Sequence, residues 1–225
     1  MKKYDLYLFD FDGTLFDTRD ALRYVFNEAF KAVGITVKEE QIGYLSRYPL
    51  PVSYKELGGP KDGWDTFIDV IEETLNGSKS INSTKMFKEG EEFFNYVKTH
   101  NISIGIVTSN NSGHVKNILD HFNIPSGLVK VIIGNQEASI PKPDPLPINV
   151  ALERLGVTDR SKVVYVGDSK NDCLSAINAG VDYYFLDREE QGHYKDRAIE
   201  NLMELFIWFI SFYIILKYHR IQGIF

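Results

Sequence analysis

From about residue 100 onward the chain alternates short apolar runs with helical patterns, and this alternation limits the possible folds more than any other feature. Apolar runs at 102–107, 129–133, 163–166 and 183–186 have the length of strands that are covered on both faces. Between these runs, apolar residues recur at helical spacing. Strands that alternate with helices form a parallel sheet with helices on both faces. The sequence therefore predicts an α/β fold.

The first part of the chain adds a strand and a helical insert. An apolar and aromatic run at 4–9 ends at Asp10-Phe11-Asp12-Gly13, as a buried strand that leads into a turn would. Helical spacing follows from 22 to 33. Residues 38–85 also show helical spacing, interrupted by prolines and glycines and without a strand signal, which predicts an all-helical insert.

Composition and charge exclude several classes of protein. A chain of 225 residues with 44% hydrophobic and 25% charged residues can bury a core and is not of the disordered type. With 25 basic and 31 acidic residues the net charge is -6, which offers no basic footprint for nucleic acid. The single cysteine and the absence of an apolar leader favour a cytoplasmic protein.

Polar residues follow the predicted strands, where ligands of open parallel sheets bind. These residues are Asp10, Asp12, Thr108, Lys142, Asp168 and Asp172. The four carboxylates would resist ionising together unless a cation lay among them, and oxygen ligands in this number suit Mg²⁺. For Asp172 alone, an N-cap is the more common role.

Lys142 and Thr108 complete the set of polar candidates. Lys142 lies between two prolines, in a segment that can be neither strand interior nor helix. This rigid setting favours an ammonium group that neutralises a phosphate and an adjacent carboxylate. Thr108 admits two roles, because its hydroxyl could cap the next turn or donate to a phosphoryl oxygen.

The order of these residues resembles the four motifs of the haloacid dehalogenase superfamily. The resemblance rests on DFDGTLFDT at 10–18, Thr108, Lys142 and GDSKND at 167–172, and it extends from Leu6 to about Leu205. It implies a Rossmann-like core at 1–15 and 87–225 and a helical cap of the C1 type at 16–86. Within the superfamily, the chain is most similar to the phosphoglycolate phosphatase-like branch.

The resemblance also implies a role for each motif residue. Asp10 would attack phosphorus and form an aspartyl-phosphate, while Asp12 would protonate the leaving oxygen and then activate water. The implied Mg²⁺ ligands are Asp10, the backbone carbonyl of Asp12 and Asp168, supported by Asp172. The implied phosphate-binding residues are Thr108, Ser109 and Lys142.

The predicted activity is hydrolysis of a small phosphomonoester, such as phosphoglycolate or a sugar phosphate. An acid at Asp12 argues against the dehalogenases and phosphonate hydrolases of the superfamily, which lack it. A phosphomutase similar to β-phosphoglucomutase and an inorganic pyrophosphatase remain as alternatives. So does a non-catalytic binding or regulatory protein, although the catalytic set is complete.

Two features outside the motifs yield further expectations. Arg47, in the predicted cap, is a candidate for contact with the distal part of the substrate, with a solvated arginine as the alternative. The apolar run at 205–216 is shorter than the ~20 residues of a membrane span and is expected to dock on the core or on a second subunit. We therefore expect a monomer or homodimer that binds a phosphorylated metabolite and not a membrane.

Overall fold

A parallel sheet forms the centre of the molecule. The computed structural model describes residues 4–38, 40–41, 50–188, 192 and 194–206. Its strands are β1 (Leu6–Phe9), β2 (Phe16–Asp17), β3 (Lys85–Met86), β4 (Ile104–Val107), β5 (Val129–Ile133), β6 (Val163–Gly167), β7 (Asp182–Leu186) and β8 (Ala198–Ile199). Six of them form a sheet with the order β5-β4-β1-β6-β7-β8, in which every neighbouring pair is parallel.

The helices in the described part of the chain are short to medium in length. They are α1 (Arg19–Ala32), α2 (Leu50–Glu56), α3 (Trp64–Leu75), α4 (Ser78–Ser83), α5 (Gly90–Thr99), α6 (Ser112–His121), α7 (Leu146–Arg154) and α8 (Lys170–Ala179). Short 3₁₀ helices occur at Arg160–Lys162, Lys195–Arg197 and Leu202–Phe206. Among the residues described, no helix has the length and apolar character that crossing a membrane requires.

The central strand shows how the sheet is covered on both faces. Along β1, successive side chains point to opposite sides, so that Tyr7 and Phe9 join one apolar cluster and Leu6 and Leu8 join the other. Apolar side chains of α5 and α6 belong to the first cluster, and those of α7 and α8 belong to the second. The predicted α/β fold with helices on both faces of a parallel sheet is therefore confirmed.

The predicted insert has an apolar cluster of its own. Helices α1 and α3, together with α2, supply its buried members, which are Val25, Phe26, Ala29, Phe30, Tyr54, Phe67, Ile71 and Leu75. None of the described residues between 38 and 84 lies in a strand. The two crossings between insert and sheet pair as the antiparallel strands β2 and β3. The domain boundaries at 15/16 and 86/87 stay a prediction.

The C-terminal apolar run lies mostly outside the described residues. Its first two members, Leu205 and Phe206, are buried in the last 3₁₀ helix. The ring of Phe206 stacks on Tyr96 with the ring centroids 4.8 Å apart and also contacts Tyr7. Docking on the core therefore begins as expected at these two residues, and residues 207–216 lie beyond the part that the structure describes.

Candidate active site

The site lies where the carboxyl ends of β1, β4 and β6 meet. Strand β1 is bonded to β4 on one side and to β6 on the other, so the residues that follow these three strands are neighbours. Asp10 follows β1, and its backbone N–H donates to the carbonyl oxygen of Val166 at 2.9 Å. This extends the ladder by one residue and fixes the direction of the Asp10 side chain, which is 6% exposed.

Lys142 forms hydrogen bonds with two of the carboxylates. Its Nζ donates to Oδ1 of Asp10 and to Oδ1 of Asp172, each at 2.6 Å, and to the hydroxyl oxygen of Tyr165 at 3.1 Å. The Tyr165 hydroxyl in turn donates to the carbonyl of Val107 at 2.8 Å. All three ammonium protons therefore have acceptors within the protein, and a phosphoryl oxygen would have to replace one of these acceptors.

Burial and the neighbouring charges shift the pKa values of Lys142 and Asp10 in opposite directions. Burial would lower the pKa of Lys142, but the carboxylates of Asp10 and Asp172 raise it well above its usual value. Burial raises the pKa of Asp10 well above its ordinary value; Lys142 opposes this rise, whereas Asp172 and Asp168 add to it. One ammonium group thus does not compensate all the carboxylates that surround it.

Asp172 combines a structural role with a role in this cluster. It occupies the third helical position of α8, where its Oδ2 accepts from the backbone N–H of Ser169 at 3.0 Å and from the Ser169 hydroxyl at 2.5 Å. Together with the Ser169 side chain this forms a capping box. The N-cap itself is Ser169, so the N-cap role considered for Asp172 is wrong. The contacts of Asp172 with Ser169 and with Lys142 coexist because each uses a different carboxylate oxygen.

Asp168 approaches the turn that follows β1. The hydroxyl of Thr14 donates to its Oδ1 at 3.3 Å. Gly13 has a φ of +78°, and a Cβ at this position would collide with the Asp168 carboxylate. Glycine is therefore required both for the backbone conformation and for the close approach. Burial, together with the charge of Asp172, raises the pKa of Asp168 to about 7.

Asp10, Asp168 and Asp172 form a group that fits a divalent cation. One oxygen from each of the three lies within 4.8 Å of the others. Their formal charges exceed that of Lys142 by two, and the carboxyl pKa values of Asp10 and Asp168 are raised. Both observations match the excess of negative charge that a Mg²⁺ ion would balance. The Asp172 carboxylate is already engaged with Ser169 and Lys142, which suits the supporting role predicted for it.

Asp12 stands apart from this group. Its side chain is half-buried and accepts from Nδ2 of Asn110, which lies 3.2 Å from Oδ2 and 3.5 Å from Oδ1. The two acidic residues of the first motif therefore have different surroundings. Asp10 is ion-paired and buried, whereas Asp12 is held by a neutral amide.

Thr108 follows β4 and is 4% exposed. Its Oγ1 accepts from the backbone N–H of Asn110 at 3.0 Å, which is the turn-capping role weighed for it in the sequence. Accepting that bond leaves the hydroxyl proton available, so the bond is compatible with donation to a phosphoryl oxygen as well. Ser109 is exposed next to it, and Arg47 lies outside the described residues.

The motif pattern missed three residues of the site. Tyr165 had the appearance of a core aromatic on a buried strand, Thr14 that of a turn residue, and Asn110 that of one polar loop residue among several. A signal existed only for Asn110, because it lies two residues after Thr108 in the loop that follows a central strand.

Comparison with known proteins identifies the family. The family model for haloacid dehalogenase-like hydrolases matches residues 7–186. This chain belongs to the haloacid dehalogenase-like hydrolases. The family and the hydrolase class predicted from the motifs are thus confirmed.

Individual relatives agree with this membership. The PpaX protein of Clostridium perfringens, a pyrophosphatase by name, is 30% identical over 87% of this chain and 94% of its own length. A phosphoglycolate phosphatase of Haemophilus influenzae is 27% identical over 76% of this chain and 80% of its own. A solved haloacid dehalogenase-like hydrolase from Bacteroides fragilis shares the fold, with a TM-score of 0.80 and 24% identity over 90% of this chain and all of that one.

Proposed function

We propose that this protein is a Mg²⁺-dependent phosphatase that hydrolyses a small phosphomonoester through an aspartyl-phosphate on Asp10. The observation that carries this proposal is the cluster of Asp10, Asp168 and Asp172, with one oxygen of each within 4.8 Å of the others. Lys142 binds two of these carboxylates, and Asp12 provides a separate acid. The names of the relatives, phosphoglycolate phosphatase and pyrophosphatase, are both those of enzymes that act on phosphate compounds.

In the first half-reaction, Asp10 is the nucleophile. Lys142 binds Oδ1 of Asp10, which leaves Oδ2 as the oxygen that attacks phosphorus. The new Oδ–P bond forms as the bond from phosphorus to the ester oxygen breaks. Asp12 gives its proton to that oxygen, so that the leaving group departs as an alcohol.

In the second half-reaction, Asp12 acts as the base. It takes a proton from water, the water oxygen bonds to phosphorus, and the bond from phosphorus to Asp10 breaks. Asp10 returns as a carboxylate beside Lys142, and Asp12 is protonated again. Thr108 is suited to donate its hydroxyl proton to a phosphoryl oxygen in both steps.

Mg²⁺, held by Asp10 and Asp168 with the backbone carbonyl of Asp12 and with Asp172 in support, would neutralise charge on the carboxylates and the phosphoryl oxygens. The carboxylate cluster supports this choice of ion, since Mg²⁺ prefers oxygen ligands. The assignment of Ser109 to phosphate binding, of Arg47 to specificity, and of the protein to the cytoplasm remains a prediction from the sequence.

The test of this proposal is hydrolysis of p-nitrophenyl phosphate by the wild-type protein and by Asp10→Asn. We expect Mg²⁺-dependent turnover that EDTA abolishes, and a loss of at least about a thousandfold in Asp10→Asn, roughly 4 kcal/mol of barrier. Circular dichroism checks that the variant folds. A rate within tenfold of wild type would overturn the role of Asp10.

A pyrophosphatase is the second candidate, because the relative from Clostridium perfringens covers more of this chain at higher identity than the phosphoglycolate phosphatase does. The same carboxylates and Lys142 would serve, since pyrophosphate is also attacked at phosphorus. Comparing kcat/KM for pyrophosphate, phosphoglycolate and hexose phosphates separates the two. A preference of a hundredfold or more for pyrophosphate would replace the phosphomonoester proposal.

A further inference from the structure

The loop after β4 places one side chain against the acid of the first motif. Asn110 Nδ2 lies 3.2 Å from Oδ2 of Asp12, and this amide is the source of both hydrogen bonds recorded for the Asp12 carboxylate within the described residues. The two residues are 98 positions apart in the sequence, so the contact depends on the β1–β4 pairing of the sheet.

The orientation of the Asn110 amide is fixed by its neighbours. Its Oδ1 accepts from the backbone N–H of Asn111 at 2.7 Å, which an NH₂ group could not do. The other end of the amide, which faces Asp12, is therefore the donor. The Asn110 backbone is held as well, because its N–H donates to Thr108 Oγ1 and its carbonyl accepts from the N–H of Asn135 at 3.0 Å.

We propose that Asn110 is a positioning residue for the proton transfers of Asp12. This inference rests on the proposed function, in which Asp12 gives a proton to the leaving oxygen and later takes one from water. Asp12 is half-buried just before a turn, and a carboxyl group without a partner there would sample several rotamers. An amide that is itself fixed limits Asp12 to orientations near the reacting oxygen, which is what efficient proton transfer requires.

The test uses two esters that differ in their need for a proton. An alkyl phosphomonoester needs its leaving oxygen protonated, whereas p-nitrophenolate leaves readily without a proton. For Asn110→Ala with Mg²⁺ present, we expect kcat/KM for the alkyl ester to fall about tenfold or more, and kcat/KM for p-nitrophenyl phosphate to change less than threefold. The ratio of these two losses is the readout, and a purely structural defect would not change it.

A second readout follows the dephosphorylation step. Release of p-nitrophenolate precedes the step in which Asp12 activates water, so slowing that step leaves phosphorylated Asp10 to accumulate. We expect Asn110→Ala to show a burst of p-nitrophenolate in rapid mixing, larger than that of the wild type. Asn110→Ser, whose side chain is too short to reach Asp12, should behave in the same way.

Asn111→Ala is the matched control. Asn111 belongs to the same loop, and its replacement by alanine removes the same kind of side-chain amide. The Oδ1 of Asn111, however, caps α6 by accepting from Gly113 N–H at 2.8 Å and from His114 N–H at 3.3 Å. We expect this variant to lose stability through the missing cap and to keep the wild-type ratio of the two kcat/KM values.

The possible outcomes separate this inference from the proposed function. If the wild-type protein with Mg²⁺ hydrolyses neither ester, the proposed function fails, and the role of Asn110 fails with it. If the wild type hydrolyses both and Asn110→Ala lowers both values equally, or neither, only the role of Asn110 is overturned. The same ratio change in Asn111→Ala would assign the effect to loop order and would also overturn it.

Discussion

Among single residues, the two acids of the first motif have opposite surroundings. Asp10 is buried against Lys142, and Asp12 is half-buried beside an amide. For Asp12→Asn we expect kcat/KM on an alkyl phosphomonoester to fall by about 10² to 10⁴, because the general acid is lost. The loss on p-nitrophenyl phosphate should be at least tenfold smaller. Steady-state kinetics on the two esters measures both values.

Asp17→Asn provides the control for this variant within the same motif. Asp17 forms a two-point contact with the exposed Arg19, whose Nε and Nη2 each lie 2.8 Å from a carboxylate oxygen. The Arg19 guanidinium also lowers the pKa of the Asp17 carboxyl. We expect Asp17→Asn to leave kcat/KM for both esters within about threefold of wild type, because only an exposed ion pair is lost. Equal losses on the two esters in Asp12→Asn would contradict the acid role.

Sequence patterns could identify the charged residues of the site but not all of their partners. Four of them are found from their positions after strands and from the motif spacing, and the structure brings these four together, namely Asp10, Asp168, Asp172 and Lys142. The role of Tyr165 could not be predicted, because its position in the apolar run of β6 indicates only that its ring is buried. That its hydroxyl lies between Lys142 and the Val107 carbonyl depends on the neighbouring strand and on the loop after β5.

Among the elements, Arg188, just after β7, contacts the chain on both sides of the helical insert, where it leaves the sheet and where it returns to it. Its Nη2 donates to the Thr14 carbonyl at 3.1 Å, it forms an ion pair with Glu89, and its guanidinium carbon lies 3.7 Å from the centroid of the Phe87 ring. We expect Arg188→Met to lower the free energy of unfolding by about 1 to 3 kcal/mol, because buried partners would lose their hydrogen bonds. Urea denaturation measures this.

Arg197→Met is the comparison for Arg188→Met. Arg197 also forms an ion pair, with Asp182, but its side chain is 42% exposed compared with 17% for Arg188. Water solvates the separated charges of an exposed pair almost as well as the pair does, so we expect the free energy of unfolding to fall by less than about 1 kcal/mol. A loss in Arg197→Met as large as that in Arg188→Met would show that the buried crossing has no special importance for stability.

The elements that sequence patterns missed are the shortest ones. The sequence predicts five strands within about two residues of their observed ends, because their apolar runs are long enough to be distinctive. These strands are β1, β4, β5, β6 and β7. Strands β2, β3 and β8 have two residues each and therefore carry no periodicity. Their pairing depends on chain segments that are distant in sequence, such as Phe16 opposite Met86.

For the molecule as a whole, the carboxylate cluster makes stability depend on pH and metal. The carboxyl pKa of Asp168 is about 7 in the folded protein, compared with an ordinary value of 3.8. Between these two values the folded state binds more protons than the unfolded state, so stability falls as pH rises through this window. Asp10, whose pKa is also raised, contributes in the same direction.

Mg²⁺ should therefore stabilise the protein more at pH 8 than at pH 5.5, because it binds carboxylates that are already ionised and relieves their repulsion. At a concentration about a hundred times the Kd, ligand binding contributes about 2.7 kcal/mol. For a chain of this length that corresponds to a rise in Tm of roughly 5 to 10 °C at pH 8. Differential scanning fluorimetry with and without Mg²⁺ at the two pH values measures the difference. Asp168→Asn should be more stable than wild type at pH 8 without metal and should lose most of the Mg²⁺ effect. Equal Tm shifts at both pH values, or an undiminished shift in Asp168→Asn, would contradict a metal site built on this carboxylate.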